Sequence, residues 1–173
     1  MTAPAIRALS AAQVEASAEA LGLLLLDCVA GGASVNFMAD MSVAEATRFW
    51  RAVAAAAIHD GRIILAAEDD QGLVGTVQLI PVAIPNQPHR AEVAKMLVHR
   101  RARNQGLGAR LMAAIEVEAR RLGRTLLVLD TATGEAGERL YGRLGWVQYG
   151  QVPGYALFPD GRLGGASFFY KHL

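Results

Sequence analysis

Six residues, Arg103-Asn104-Gln105-Gly106-Leu107-Gly108, stand between an apolar run ending at Val98 and a helical pattern beginning at Leu107. Two glycines let a chain turn tightly and bring its backbone within hydrogen-bonding distance of an anion, and a helix starting there offers unpaired N–H groups and the positive end of its dipole. The chemistry on offer is capture of a diphosphate, and spacing narrows which one. A Walker loop needs Lys-Ser or Lys-Thr directly after its last glycine, whereas Gly108 is followed by Ala109 and Arg110. The lysine and the magnesium-binding hydroxyl of a kinase or ATPase are therefore missing. A dinucleotide fingerprint needs a third glycine at a position held by Leu111, even though Asp130 follows at a suitable distance for a ribose contact.

Arg-x-x-Gly-x-Gly after a strand resembles the signature motif of the GNAT superfamily, the acetyl-CoA-dependent N-acetyltransferases. A second match lies downstream, where the run from Ala136 through Tyr141 to Gly145-Trp146 is similar to the last helix of those enzymes. In the family that helix carries a tyrosine whose hydroxyl lies near the sulfur of coenzyme A. Segments outside the cofactor site, among them Gly31–Val35, Phe37–Asp40, Arg90–Val93, Leu129–Thr131, Pro153–Tyr155 and Pro159–Leu163, resemble the tabtoxin-resistance branch, which acetylates an amine of a dipeptide β-lactam toxin. The resemblance implies a GNAT fold and acetyl-CoA as co-substrate, with Met96, Leu97 and Val98 pairing with the pantetheine amides and supplying an oxyanion N–H. It implies that Arg103, Asn104, Gln105, Gly106, Leu107, Gly108 and Ala109 hold the diphosphate. One departure stands out: many family members carry an asparagine seven residues before the tyrosine, and here that residue is Gly134. A backbone group or Thr133 is then expected to replace its contact.

Acetyl transfer sets what else the site must contain. An amine must lose a proton, an oxyanion must be stabilised, and a departing thiolate must be protonated. Tyr141 is the expected acid, since a phenol is protonated at neutral pH. Glu92 and Asp130, carboxylates on neighbouring strands, are the candidate bases, and the resemblance implies that both help remove the amine proton, directly or through water. A structural reading stays open for each: Glu92 paired with Arg90 or Lys95, Asp130 capping the next turn. Asn36 and Tyr155, read as loop residues, are expected to line the acceptor pocket. Cys28 and the histidines show no nucleophile or metal-ligand spacing, so no metal and no covalent enzyme intermediate are expected.

These residues need a scaffold, and its elements are readable. Ile6–Leu9 reads as a strand, Ser10 with Gln13 and Ser42 with Glu45 read as capping boxes, and the first helix is expected to run to Gly31-Gly32. Arg62–Glu68 and Leu73–Ile80, joined by Asp-Asp-Gln-Gly, form a hairpin, with Pro81 interrupting its ladder, and Arg90–His99 adds a strand. Leu107, Leu111, Ile115, Ala119 and Leu122 line one face of a helix that ends before Gly123. That helix makes Thr125–Leu129 parallel to Arg90–His99. Strands over Trp146–Val152 and Ala166–Tyr170, joined through Tyr155 and Pro159-Asp160-Gly161, complete the sheet. The fold class is α/β (α+β): a mixed central sheet with antiparallel N-terminal hairpin strands, splayed parallel central strands and flanking helices, over one domain spanning 1–173.

With 173 residues, 53% hydrophobic residues and a net charge of +1, the chain has enough core for such a domain and no charge excess suited to nucleic acid. The apolar run Leu21–Leu26 is bounded by Glu19 and Asp27, so it reads as a buried helix, not a membrane span. One cysteine and no basic-then-apolar leader point to the cytoplasm. The expected activity is acetyl transfer from acetyl-CoA to a primary amine of a small molecule of amino-acid, dipeptide or toxin-like kind. A catalytically silent acyl-CoA sensor and a protein or peptide N-acetyltransferase are the alternatives, and a homodimer through the late strands fits each.

Overall fold

Two capping boxes set the N-terminal helices in the computed structural model, which describes residues 3–173. After strand β1 (Ala5–Leu9), the Ser10 hydroxyl accepts from the Gln13 N–H while the Gln13 side chain accepts from the Ser10 N–H. The expected single first helix is two, α1 (Ala11–Ala16) and α2 (Ala18–Ala30). The break falls at Ser17, whose φ of −98° and ψ of 9° leave the helical region, at a residue type that favours helix ends over interiors. The turn lets Val14 and Leu21, on different helices, both be fully buried. Ser42 and Glu45 then start α3 (Val43–Ala57), whose Trp50 fills the core among the three helices and the sheet.

The remaining chain is a sheet with two helices. Strands β2 (Ile63–Asp69), β3 (Gly72–Pro81) and β4 (Arg90–Val98) pair antiparallel, and Pro81, facing Ala91 as the last residue of β3, marks where the ladder stops, as expected. Helix α4 (Leu107–Arg121) leads to β5 (Leu126–Ala132), α5 (Ala136–Arg143), β6 (Val147–Leu157) and β7 (Leu163–His172). The sheet order is β1-β2-β3-β4-β5-β7-β6, and among the described residues only β4 and β5 are parallel. Strand β7 returns between β5 and β6, leaving β6 as an edge with Val147, Tyr149, Val152 and Tyr155 exposed.

Two irregularities build the site. Strands β4 and β5 pair only at Arg90–Leu126, Ala91–Leu127 and Glu92–Val128, then separate, while β4 stays paired with β3 to Val98 and β5 with β7 to Ala132. The register between β3 and β4 also jumps from Gln78–Ala94 to Thr76–Leu97, so Lys95 and Met96 together oppose Val77. This is a β-bulge, with Lys95 at φ +49°. It changes which face the strand presents. Ala91 and Val93 pack in the core under α4, whereas Leu97, which simple alternation would place beside them, packs in the core of α1, α2 and α3. Among the described residues, no helix is long and apolar enough to cross a membrane.

Candidate active site

The loop before α4 turns as its glycines allow. Gly106 is the N-cap at φ +77°, a conformation that costs an L-residue about 1–2 kcal/mol, and Asn104 sits at φ +60°. No side chain caps the helix, and among the described residues the amides of Leu107, Gly108 and Ala109 donate to no protein acceptor. Three N–H groups at the positive end of a four-turn helix are thus free for an anion. A Cβ on Gly108 would lie 3.1 Å from Leu140 Cδ2 and 3.8 Å from Met96 Cε, so this first turn abuts both α5 and the bulged end of β4.

The arginines around the loop hold it in place. Arg100 binds Asp27 through its backbone N–H at 2.9 Å and through its side chain, Arg101 pairs with Asp69, and Arg110 donates to the Pro4 carbonyl at 2.7 Å. Arg103 Nε donates to the Val98 carbonyl at 3.1 Å, with its guanidinium lying over Gly31 at the end of α2. The same carbonyl accepts from Cys28 Sγ at 3.5 Å. Burial pushes the Cys28 thiol up, with Arg103 opposing, so this thiol is not activated.

A cleft of about 620 Å³ runs from this loop along the gap between β4 and β5 to the α2–α3 loop. Tyr141 lies at its floor, 6% exposed, its ring 6.0 Å from those of Trp146 and Phe169. Its hydroxyl bonds to no protein group among the described residues, and burial, assisted by the charge of Asp130, raises its pKa far above the ordinary phenol value. Glu92 lies between core residues Ala91 and Val93, and Asp130 follows core residue Leu129, so both carboxylates emerge on the face opposite α4. Neither forms an ion pair among the described residues. Arg90 donates instead to Gln87, and the turn after Asp130 is closed by Glu138, which accepts from the Gly134 N–H. The structural partners open to Glu92 and Asp130 in the sequence are thus both absent.

The turn from β5 to α5 is tied down away from the cleft. Ser167 donates to Glu138 at 2.6 Å and shares a hydrogen bond of 2.9 Å with Thr133. Thr133 thus has a partner of its own in Ser167, and Gly134, at φ +81°, takes a conformation that suits glycine. Gly137 matters by proximity, because a Cβ there would fall 2.6 Å from Thr131 Oγ1 and 3.4 Å from the Tyr141 ring. Gly137→Ala is expected to lower the turnover rate of acetyl transfer about tenfold by displacing the ring. Thr131→Ala in the same chain removes the obstructing atom and should restore most of the loss, as steady-state kinetics will show.

Residues 28–146 match the model of the acetyltransferase (GNAT) family. The chain belongs to this family. It is a GNAT acetyltransferase, and acetyl-CoA is the donor its family uses. Solved structures agree on the fold. A putative acetyltransferase from Acinetobacter baylyi ADP1 superposes with a TM-score of 0.81 at 19% identity, covering 100% of this chain and 94% of that one. A phosphinothricin acetyltransferase from Sinorhizobium meliloti, in complex with acetyl-CoA, gives 0.79 at 18% identity and coverage of 99% and 89%. The ribosomal-protein-alanine N-acetyltransferase of Brucella melitensis gives 0.77 at 22% identity and coverage of 98% and 99%.

In this GNAT acetyltransferase the cleft gathers Tyr141, Asp130, Glu92, Met96, Leu97, Val98, Asn36 and the loop residues Arg103, Asn104 and Gly106 to Ala109. It leaves two expected residues outside. Gln105 turns its side chain back to the Arg101 carbonyl at 3.0 Å. Tyr155 belongs to β6, not to a loop, and stacks edge-on against Phe168 at 5.3 Å away from the cleft walls. His99 accepts from the Arg101 N–H through Nδ1, and its Nε2 lies 3.4 Å from Asp27. The sequence reading missed Arg143, Gly137 and, as an element of the wall, Lys95. In the sequence Lys95 is only one of three charged residues of this strand, with Arg90 and Glu92.

Proposed function

We propose that the protein transfers the acetyl group of acetyl-CoA to a primary amine of a small molecule of amino-acid, dipeptide or toxin-like kind, by direct attack of the amine on the thioester. One observation carries the reading: a single cleft holds a free backbone cradle for a diphosphate, a buried tyrosine with an unbonded hydroxyl, and two carboxylates without structural partners. Glu92 and Asp130 take the ammonium proton, directly or through water. The nitrogen lone pair then attacks the carbonyl carbon, and strand amides between Met96 and Val98, where β4 has left β5, face the developing oxyanion. As the C–S bond breaks, Tyr141 protonates the thiolate, and the second proton, shed by the attacking nitrogen as the amide forms, passes through the carboxylates or solvent and restores the phenol. Both carboxylates keep the far end of the cleft attractive to a cation.

Similar folds carry names for unlike acceptors, phosphinothricin and a ribosomal-protein alanine, so fold alone does not choose between a small molecule and a polypeptide. A thiol-release assay over amino acids, dipeptides, polyamines and short peptides with free N-termini tests the proposal. Turnover above hydrolysis is expected for a small amine and not for the peptides. Peptide turnover alone points to a protein acceptor, while acetyl-CoA binding without turnover points to a sensor.

A further inference from the structure

Glu92 and Asp130 by themselves would favour a purely cationic acceptor, but a third charge stands among them. Lys95 lines the cleft, and its Nζ lies 5.9 Å and 5.8 Å from the ring centres of Phe37 and Phe49. It has no ion pair and no hydrogen bond among the described residues, although its cleft neighbours include both carboxylates. The bulge holds it at φ +49°, a backbone state that costs of order 1 kcal/mol or more and is kept only where the surroundings enforce it. Burial pulls its pKa below the usual lysine value, against Asp130 and Glu92, which hold it up. Were Lys95 there to neutralise the carboxylates, a direct pair would form. An ammonium half-withdrawn from water between two rings, with no counterion of its own, is completed by an anion that arrives.

Resting on the N-acetyltransfer reading above, we infer that Lys95 binds an anionic group of the acceptor, and that acceptors are zwitterions with a carboxylate-like anion a few bonds from the reacting amine. The amine meets Glu92 and Asp130 while the anion meets Lys95, so the arrangement of charges in the cleft is the reverse image of the ligand. A plain amine satisfies half of it.

The twenty free α-amino acids are assayed by thiol release with the full-length enzyme, and the best is compared with its methyl ester and its decarboxylated amine. The wild type should prefer the free acid by about ten- to a hundredfold in kcat/KM, the span of one charged hydrogen bond. Lys95→Met should collapse that preference at least about tenfold, through KM for the acid, and Lys95→Arg should retain most of it. Equal use of acid, ester and amine by the wild type overturns the inference and leaves acetyl transfer standing. A Lys95→Met loss shared equally by all three assigns the lysine to proton transfer or to the fold and also overturns it. No turnover with any of them, while a polyamine or other purely cationic amine of the wider panel is acetylated, overturns the inference; no turnover of any small amine in that panel, while acetyl-CoA still raises the melting temperature, overturns the small-amine reading itself.

Discussion

Tyr141→Phe is expected to lower the turnover rate about a hundredfold or more, at the scale of one general acid, while acetyl-CoA still raises the melting temperature as it does for the wild type. The two effects separate because the ring and the hydroxyl have different tasks. The ring is packed against Trp146 and Phe169, contacts that phenylalanine keeps, and the hydroxyl bonds to no protein group among the described residues. Losing it should therefore change stability by well under 1 kcal/mol. Burial and the nearby Asp130 raise the phenol's pKa, which favours its protonated form. Across the alkaline range the wild type therefore keeps its acid, and a fall in turnover between pH 8 and about 10 should not come from this group. A turnover number and a thermal melt, each with and without acetyl-CoA, check both halves. A variant that loses cofactor binding along with rate would make Tyr141 a wall of the cleft and not its acid.

Much of this site is legible in the chain because its parts are local. A helix that begins without a capping side chain, with Gly106 as its N-cap and Gly108 in its first turn, follows from the residues at 106–108, and the parallel pairing of β4 with β5 follows from the single α-helix that joins them. Both capping boxes are likewise set by residues three apart. What escapes is set by pairing partners far along the chain. The bulge at Lys95 and Met96 depends on β3, and only after it does Leu97 change faces; period-two reading along β4 alone has no means of finding it. Tyr155 belongs to β6 because β7 returns beside β5 and pairs with the 147–157 segment on either side of it, leaving 153–155 as an irregularity between the Val152–Ala166 and Ala156–Gly164 pairs. Gln105 is lost for a smaller reason: its amide finds a carbonyl four residues back before it can reach the cleft.

Removing both carboxylates, Glu92→Gln with Asp130→Asn, should cost more than either change alone, about 10²- to 10⁴-fold in kcat/KM near neutral pH. The diagnostic is the pH profile. With a base in place, an acceptor that binds as its ammonium ion is deprotonated in the cleft, so the rate flattens well below the pKa of the amine. Without one, only the neutral amine reacts, and the rate should climb about tenfold per pH unit until near pH 10, where a simple alkylamine loses its own proton. If the carboxylates only attract the ammonium, KM rises and the slope stays as in the wild type. The double variant also perturbs Lys95, because Asp130 and Glu92 are the charges that hold its pKa up. Their loss leaves burial unopposed, so Lys95 sheds its proton at still lower pH and its grip on an anion weakens as pH rises, opposing the climb. Repeating the profile with Lys95→Arg present separates the two, since a guanidinium keeps its charge throughout. The full tenfold slope should then emerge only in the triple variant, and its appearance there would place proton removal on Glu92 and Asp130 and anion binding on the residue at 95.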